Sequence, residues 1–224
     1  MPIKLPGLCQ RGLQFTRLLQ IPEPGVRQVL RLLGPRILTM FFIQMFFIVM
    51  DNLASGLGEG SVTALNYGWF IMQVPETLLG TAIAITLLPT ISELFAAGEA
   101  EKFTSTVNSA ARILIALTIP SACLLFAGIN PVIDKVFHFG DAGTALVTAT
   151  TRMYLVGLTG HALLEIASRA FYAQQNAKIP LIAAALNAAF YFILAPLFSR
   201  WLGVVGIALA NVTVFTTEAI VLFW

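Results

Sequence analysis

The stretch RILTMFFIQMFFIVMDNLASGL, residues 36 to 57, decides the fold. Between Arg36 and Asp51 it carries no charge, and only Thr39 and Gln44 interrupt the apolar side chains. At 1.5 Å per residue such a helix reaches about 33 Å, enough to cross the ~30 Å hydrocarbon core of a bilayer. Comparable runs follow at 66 to 92, 109 to 128, 151 to 172, 179 to 198 and 203 to 224. The 224 residues are 58% hydrophobic and 11% charged, whereas a soluble domain carries about 25% charged residues. The expected fold is therefore all-α, a polytopic membrane bundle of about six transmembrane helices. A formal net charge of +2 is too small to imply a nucleic-acid partner.

Outward from this lobe, 36-224, residues 1-35 read as a basic cytoplasmic linker. Val26, Val29, Leu30 and Leu33 repeat at helical spacing while Arg27 and Arg31 project elsewhere, the pattern of an amphipathic helix on a membrane surface. Pro24 suits its first turn, and Gly34-Pro35 is expected to end it. No early apolar run with a cleavage site marks a signal peptide, so Met1 is expected to remain. Cys9 and Cys123 stand alone, which suggests neither a metal nor redox chemistry.

Six crossings return both ends to one side. Residues 1 to 36 carry six Lys or Arg, and Lys102, Arg112, Arg169 and Lys178 add to that side, against Lys135, Arg152 and Arg200 opposite. By the positive-inside rule both termini are expected in the cytoplasm. The segment ELFAAGEAEKFTSTVN, residues 93 to 108, reads as a short helix on the cytoplasmic surface. Pro75, Pro89, Pro120 and Pro196 lie in or near spans, where proline kinks a helix or frees a carbonyl beside a cavity.

Polar side chains within the spans are the functional candidates. Gln44, Asp51 and Ser55 share one helical face, with Asn52 beside them. An acid at membrane depth costs at least ~2.5 kcal/mol unless paired or hydrated, so Asp51 is either functional or close enough to the interface to meet water. Gln73, Glu76, Gly80 and Ala84 form a second stripe, suited to close helix packing. The densest stripe is Tyr154, His161, Glu165, Ser168, Arg169 and Tyr172, which must face protein or a cavity. Glu165 precedes Arg169 by four residues, the favourable order for an ion pair. Alternatively Arg169 meets an anionic head group while His161 and Glu165 respond to protons or sodium. No nucleophile elbow, P-loop or zinc motif is present, so neither an enzyme nor a cofactor or metal is expected.

QMFFIVMDNLASGLGEGSVTALNYGWFIMQVPETLLGTAIAITLLPTISELF, from Gln44 to Phe95, resembles the start of the second lobe of the lipid II flippase (MurJ/MviN) family. EIASRAFYAQQNAKIP, from Glu165 to Pro180, and GVVGIALANVTVF, from Gly203 to Phe215, are similar to later blocks of the same lobe. The resemblance implies one lobe of a two-lobed exporter fold, of the multidrug, oligosaccharidyl-lipid and polysaccharide exporter superfamily, working by alternating access in the inner membrane. Its implied partners are membrane lipid, a lipid-linked peptidoglycan precursor, and a second flippase lobe or a larger membrane complex. Its implied biology is cell-wall synthesis. The chain looks like a half-length gene product, a remnant or a trimmed piece.

Two departures qualify that expectation. The family commonly has an Asp-Arg pair after the Asn-Tyr of the second span; Asn66-Tyr67 is followed here by Gly68, then Trp69 and Phe70. QQNAKIP retains Asn176 and Lys178 where many members show an acid and an arginine. The candidate substrate or cavity residues are Gln44, Asp51, Asn52, Asn66, Glu76, His161, Glu165 and Arg169. Two functions compete: a transport lobe that needs the absent N-terminal lobe, and a transport-inactive remnant serving as a structural subunit.

Overall fold

A computed structural model describes residues 24 to 224, with side chains at 33, 34 and from 37 onward. Arg11, Arg17 and Cys9, and the faces taken by Arg27 and Arg31, lie outside the described residues. The chain divides at Gly34/Pro35 into two units, of which Pro35–Trp224 is the larger and carries the helical lobe.

Eight α-helices are described: α1 (Pro24–Ser55), α2 (Ser61–Pro75), α3 (Ala82–Ala96), α4 (Ala100–Phe137), α5 (Gly140–Val156), α6 (Leu158–Ala173), α7 (Lys178–Leu202) and α8 (Val204–Phe223). A π-helical segment, Glu76–Thr81, joins α2 to α3. Five stretches are long and apolar enough to cross a membrane: Ile37–Ser55, Ser61–Ala96, Ala100–Phe137, Lys178–Leu202 and Val204–Phe223. The described residues contain no strand. This is an all-α, multi-pass membrane fold.

Three expectations are corrected. Gly34-Pro35 does not end a helix, since α1 continues to Ser55; a proline removes one backbone bond, and the apolar run beyond it sustains the helix. Residues 93 to 108 are not a separate surface helix. A turn at Ala97–Glu99 is followed directly by α4, whose 38 residues reach about 57 Å, so its polar start extends past the hydrocarbon. The expected fourth span is two helices of 17 and 16 residues meeting at Gly157. A Cβ at Gly157 would lie 2.6 Å from Val212 Cγ2 on α8, so the break sits where two helices approach too closely for a side chain.

α4 and the α5–α6 pair form an antiparallel hairpin. Asn130 donates to Thr148 (3.4 Å), Arg152 Nε to the Phe126 carbonyl (2.9 Å), and Thr118 meets Thr159 (3.0 Å). One sequence number falls as the other rises. α7 and α8 form a second hairpin across Gly203, whose φ of 59° and ψ of −135° suit glycine alone. One apolar core joins Phe46 and Met50 to Leu65, Tyr154, Tyr191 and Ile207. A smaller one joins Ala84 and Ile91 to Leu114, Ala162 and Ile166.

Candidate functional site

Pro75 lacks an N–H, and the π-helical turn begins directly after it. On an α-helix residues five apart are displaced by about 140°; bonding from i to i−5 brings them nearly into line. Thr81 therefore reaches back to the Glu76 carboxylate (3.3 Å to Oε1), and Thr77 donates to Oε2 at 3.5 Å. Glu76 is buried. Gly80 lets α6 approach, since a Cβ there would be 2.9 Å from both Ala162 Cβ and Glu76 Oε1.

Glu76 faces a cavity of about 180 Å³ together with Gln73, Trp69, His161, Glu165 and Asn211. His161 Nε2 donates to Asn211 Oδ1 at 3.1 Å, an oxygen that can only accept. Its ring packs on Phe215 at 4.5 Å and edge-on to Trp69 at 5.2 Å. A second cavity, about 460 Å³, is lined by Glu165, Ser168, Arg169, Tyr172, Asn187 and Glu218 among others. The two share Ile43, Phe46, Leu164, Glu165 and Phe215 as walls. Arg169 is ion-paired with Glu165 one turn earlier. Among the described residues the lining holds three carboxylates, Glu76, Glu165 and Glu218, against one guanidinium.

Of the sequence candidates, Glu76, His161, Glu165 and Arg169 converge on these cavities. The rest do not. Asp51 accepts from Asn66 Nδ2 (3.3 Å), tying α1 to α2 elsewhere. Gln44 and Asn52 stand exposed, and Ser55 bonds back to the Asn52 carbonyl. On α1 the first cavity is lined by Ile43, Phe46, Phe47 and Met50, and the second by Thr39, Met40, Phe42, Ile43 and Phe46. Tyr154, expected in the same stripe as His161, lies beyond Gly157 and is buried, its hydroxyl 3.5 Å from Met50 sulfur. Sequence reasoning missed Asn187, a lone polar residue in an apolar run, and Asn211 and Glu218, which stand among the threonines of the last span.

The two departures also have structural places. Trp69 fills the space between Phe47, Tyr154 and His161, whereas Phe70 is 60% exposed. Asn176 Oδ1 accepts from the Lys178 N–H at the start of α7 (3.3 Å), a local capping role.

Residues 2–224 match the family described as Lipid II flippase MurJ. Among curated proteins, the Lipid II flippase MurJ of Burkholderia cenocepacia is 32% identical over 188 residues, 80% of this chain and 36% of that protein. Among solved structures, Lipid II flippase MurJ in an inward closed conformation superposes with a TM-score of 0.77 at 24% identity, over 94% of this chain and 44% of that one. An outward-facing multidrug resistance MATE family transporter of the MOP superfamily gives 0.79 at 17% identity, over 87% of this chain and 43% of that one. The fold is thus that of one half of such transporters, and the chain belongs to the Lipid II flippase MurJ family.

Proposed function

We propose that this chain is the second lobe of a lipid-linked precursor flippase of the bacterial inner membrane, a transport component and not an enzyme, and that it works only together with an N-terminal lobe. Residues 1-35 act as the cytoplasmic linker and 36-224 as the moving lobe. Family membership supports the transport reading. The charge of the cavity supports the dependence on a second lobe. A diphosphate head group calls for charge-assisted donors, preferably arginine. Among the described residues three carboxylates line the cavities, and the one guanidinium there, Arg169, is held by Glu165. Phe70, where the family resemblance puts an arginine, donates nothing. The phosphate contacts must come from the other lobe.

One observation favours the second reading, a transport-inactive structural subunit. Trp69 is built into the aromatic packing around His161, so the position where the family resemblance puts the acid is filled by a fitted apolar side chain. Complementation separates the two readings. In a bacterium depleted of its own flippase, the chain alone is expected to fail and the chain with a coexpressed N-terminal lobe to rescue growth. Rescue by the chain alone would refute the dependence; failure of both would favour the structural subunit.

A further inference from the structure

The α7–α8 hairpin holds a polar pair, Asn187 and Glu218, on the wall of the second cavity. Asn187, 6% exposed, donates Nδ2 to Glu218 Oε2 across the hairpin. Its Oδ1 is buried without a partner, as is the Tyr191 hydroxyl one turn along α7. A buried carbonyl oxygen left without a donor is costly, and so is a carboxylate without a cation at membrane depth.

No cation among the described residues of this cavity is left to compensate Glu218. The ion pairs among the described residues are Lys102–Glu99 and Arg169–Glu165, so the guanidinium in the same cavity already serves another acid. The titratable groups that α6 presents to this cavity are Glu165, Arg169 and Tyr172, and Tyr191 follows on α7. Among the described residues α1 and α3 line it with Thr39 and apolar side chains, and α2 and α5 do not line it. With both carboxyls and the guanidinium ionised, the described residues of the cavity carry two negative charges and one positive. A single proton removes the surplus. Placed on Glu218 Oε1, it is also the donor that Asn187 Oδ1 lacks, and the two side chains then close a ring of two hydrogen bonds.

We propose that Glu218 is a proton-binding site of this lobe, holding an exchangeable proton against Asn187 and releasing it to water that enters the cavity. On release the proton leaves as hydronium, one negative charge develops on Glu218, and Asn187 Nδ2 continues to donate to it. The inference rests on the lobe's own geometry and not on carriage of any lipid, so it can fail while the transport reading stands.

Infrared difference spectroscopy of the full chain in lipid nanodiscs tests it. At neutral pH the carbonyl band of a protonated carboxyl is expected, lost in Glu218→Gln, raised in frequency in Asn187→Leu, shifted in D2O, and replaced by carboxylate bands as pH rises. Absence of the band from the unaltered chain, its survival in Glu218→Gln, or its indifference to D2O would overturn the proposal. Loss of the band when sodium replaces potassium at constant pH would overturn it too, by assigning the site to a metal cation. Should Glu218→Gln fail to fold, Glu218→Asp keeps the acid on a shorter stem and must move the band; an unmoved band has the same adverse meaning.

Discussion

Arg169 Nη1 donates to the Glu165 carboxylate one helical turn before it, and also approaches the Glu165 carbonyl oxygen at 3.4 Å. The arginine side chain is 19% exposed and the glutamate 41%. On an open helix such a pair is worth ~0.5 kcal/mol, whereas an uncompensated charge at membrane depth costs ~2.5 kcal/mol or more. Glu165→Gln and Arg169→Gln are each expected to lower thermal stability in detergent by more than the double change does. Simple additivity in that cycle would rule the pairing out.

Trp69 and Phe70 are neighbours in sequence with opposite surroundings. Trp69 packs against Phe47, Tyr154, His161 and Phe215, so Trp69→Asp is expected to cost ~3 kcal/mol or more, as large aromatic deletions do. Phe70→Arg should cost under ~1 kcal/mol in a detergent unfolding assay, because Phe70 is 60% exposed and a substitution at an exposed site away from special features changes little. Equal destabilisation by the two changes would mean that Phe70 faces acyl chains and not an aqueous cleft.

The spacing of Glu165 and Arg169 is enough to read their pairing, because that contact lies within one helix. The apolar runs likewise mark five membrane-length helices. The polar start of α4 misleads, since a helix need not end where it leaves the hydrocarbon. Gly157 gives no signal along the chain, as its close partner, Val212, lies far off in sequence on α8. Asn187 and Glu218 are each visible as polar residues inside spans, but their contact depends on the register of a hairpin set by Gly203. Gln44 and Asp51 share a face by periodicity, yet Ile43, Phe46 and Met50 line the cavities. Periodicity identifies a face and leaves open what it faces.

Gly157 and Val212 provide a test of the broken helix. Gly157→Ala would bring a methyl group 2.6 Å from Val212 Cγ2 and 2.8 Å from Cγ1, inside van der Waals contact, and overpacking of this kind costs ~1–3 kcal/mol. Lowered thermal stability is expected for Gly157→Ala, with recovery of most of the loss on adding Val212→Ala. If the second change gives no recovery, the glycine is needed for its backbone and not for the space.

The side on which the chain ends depends on whether α5 and α6 cross the bilayer together. Alone, 17 and 16 residues reach about 25 Å each, short of the ~30 Å core. Joined at Gly157 they suffice. The rungs from Asn130–Thr148 through Phe126–Arg152 to Thr118–Thr159 run in opposite directions along α4 and the pair, and Leu114 and Ile166 continue in one apolar cluster. The pair therefore retraces most of α4, and a helix that retraces a spanning neighbour must itself span. That makes six crossings, and the ten Lys and Arg on the first side favour both ends in the cytoplasm. Fusions of alkaline phosphatase after Trp224 are expected to be inactive, and fusions at Asp141, in the first turn of α5, to be active in the periplasm. Activity after Trp224 with none at Asp141 would invert the orientation; activity at both would mean that α5 and α6 do not cross as one.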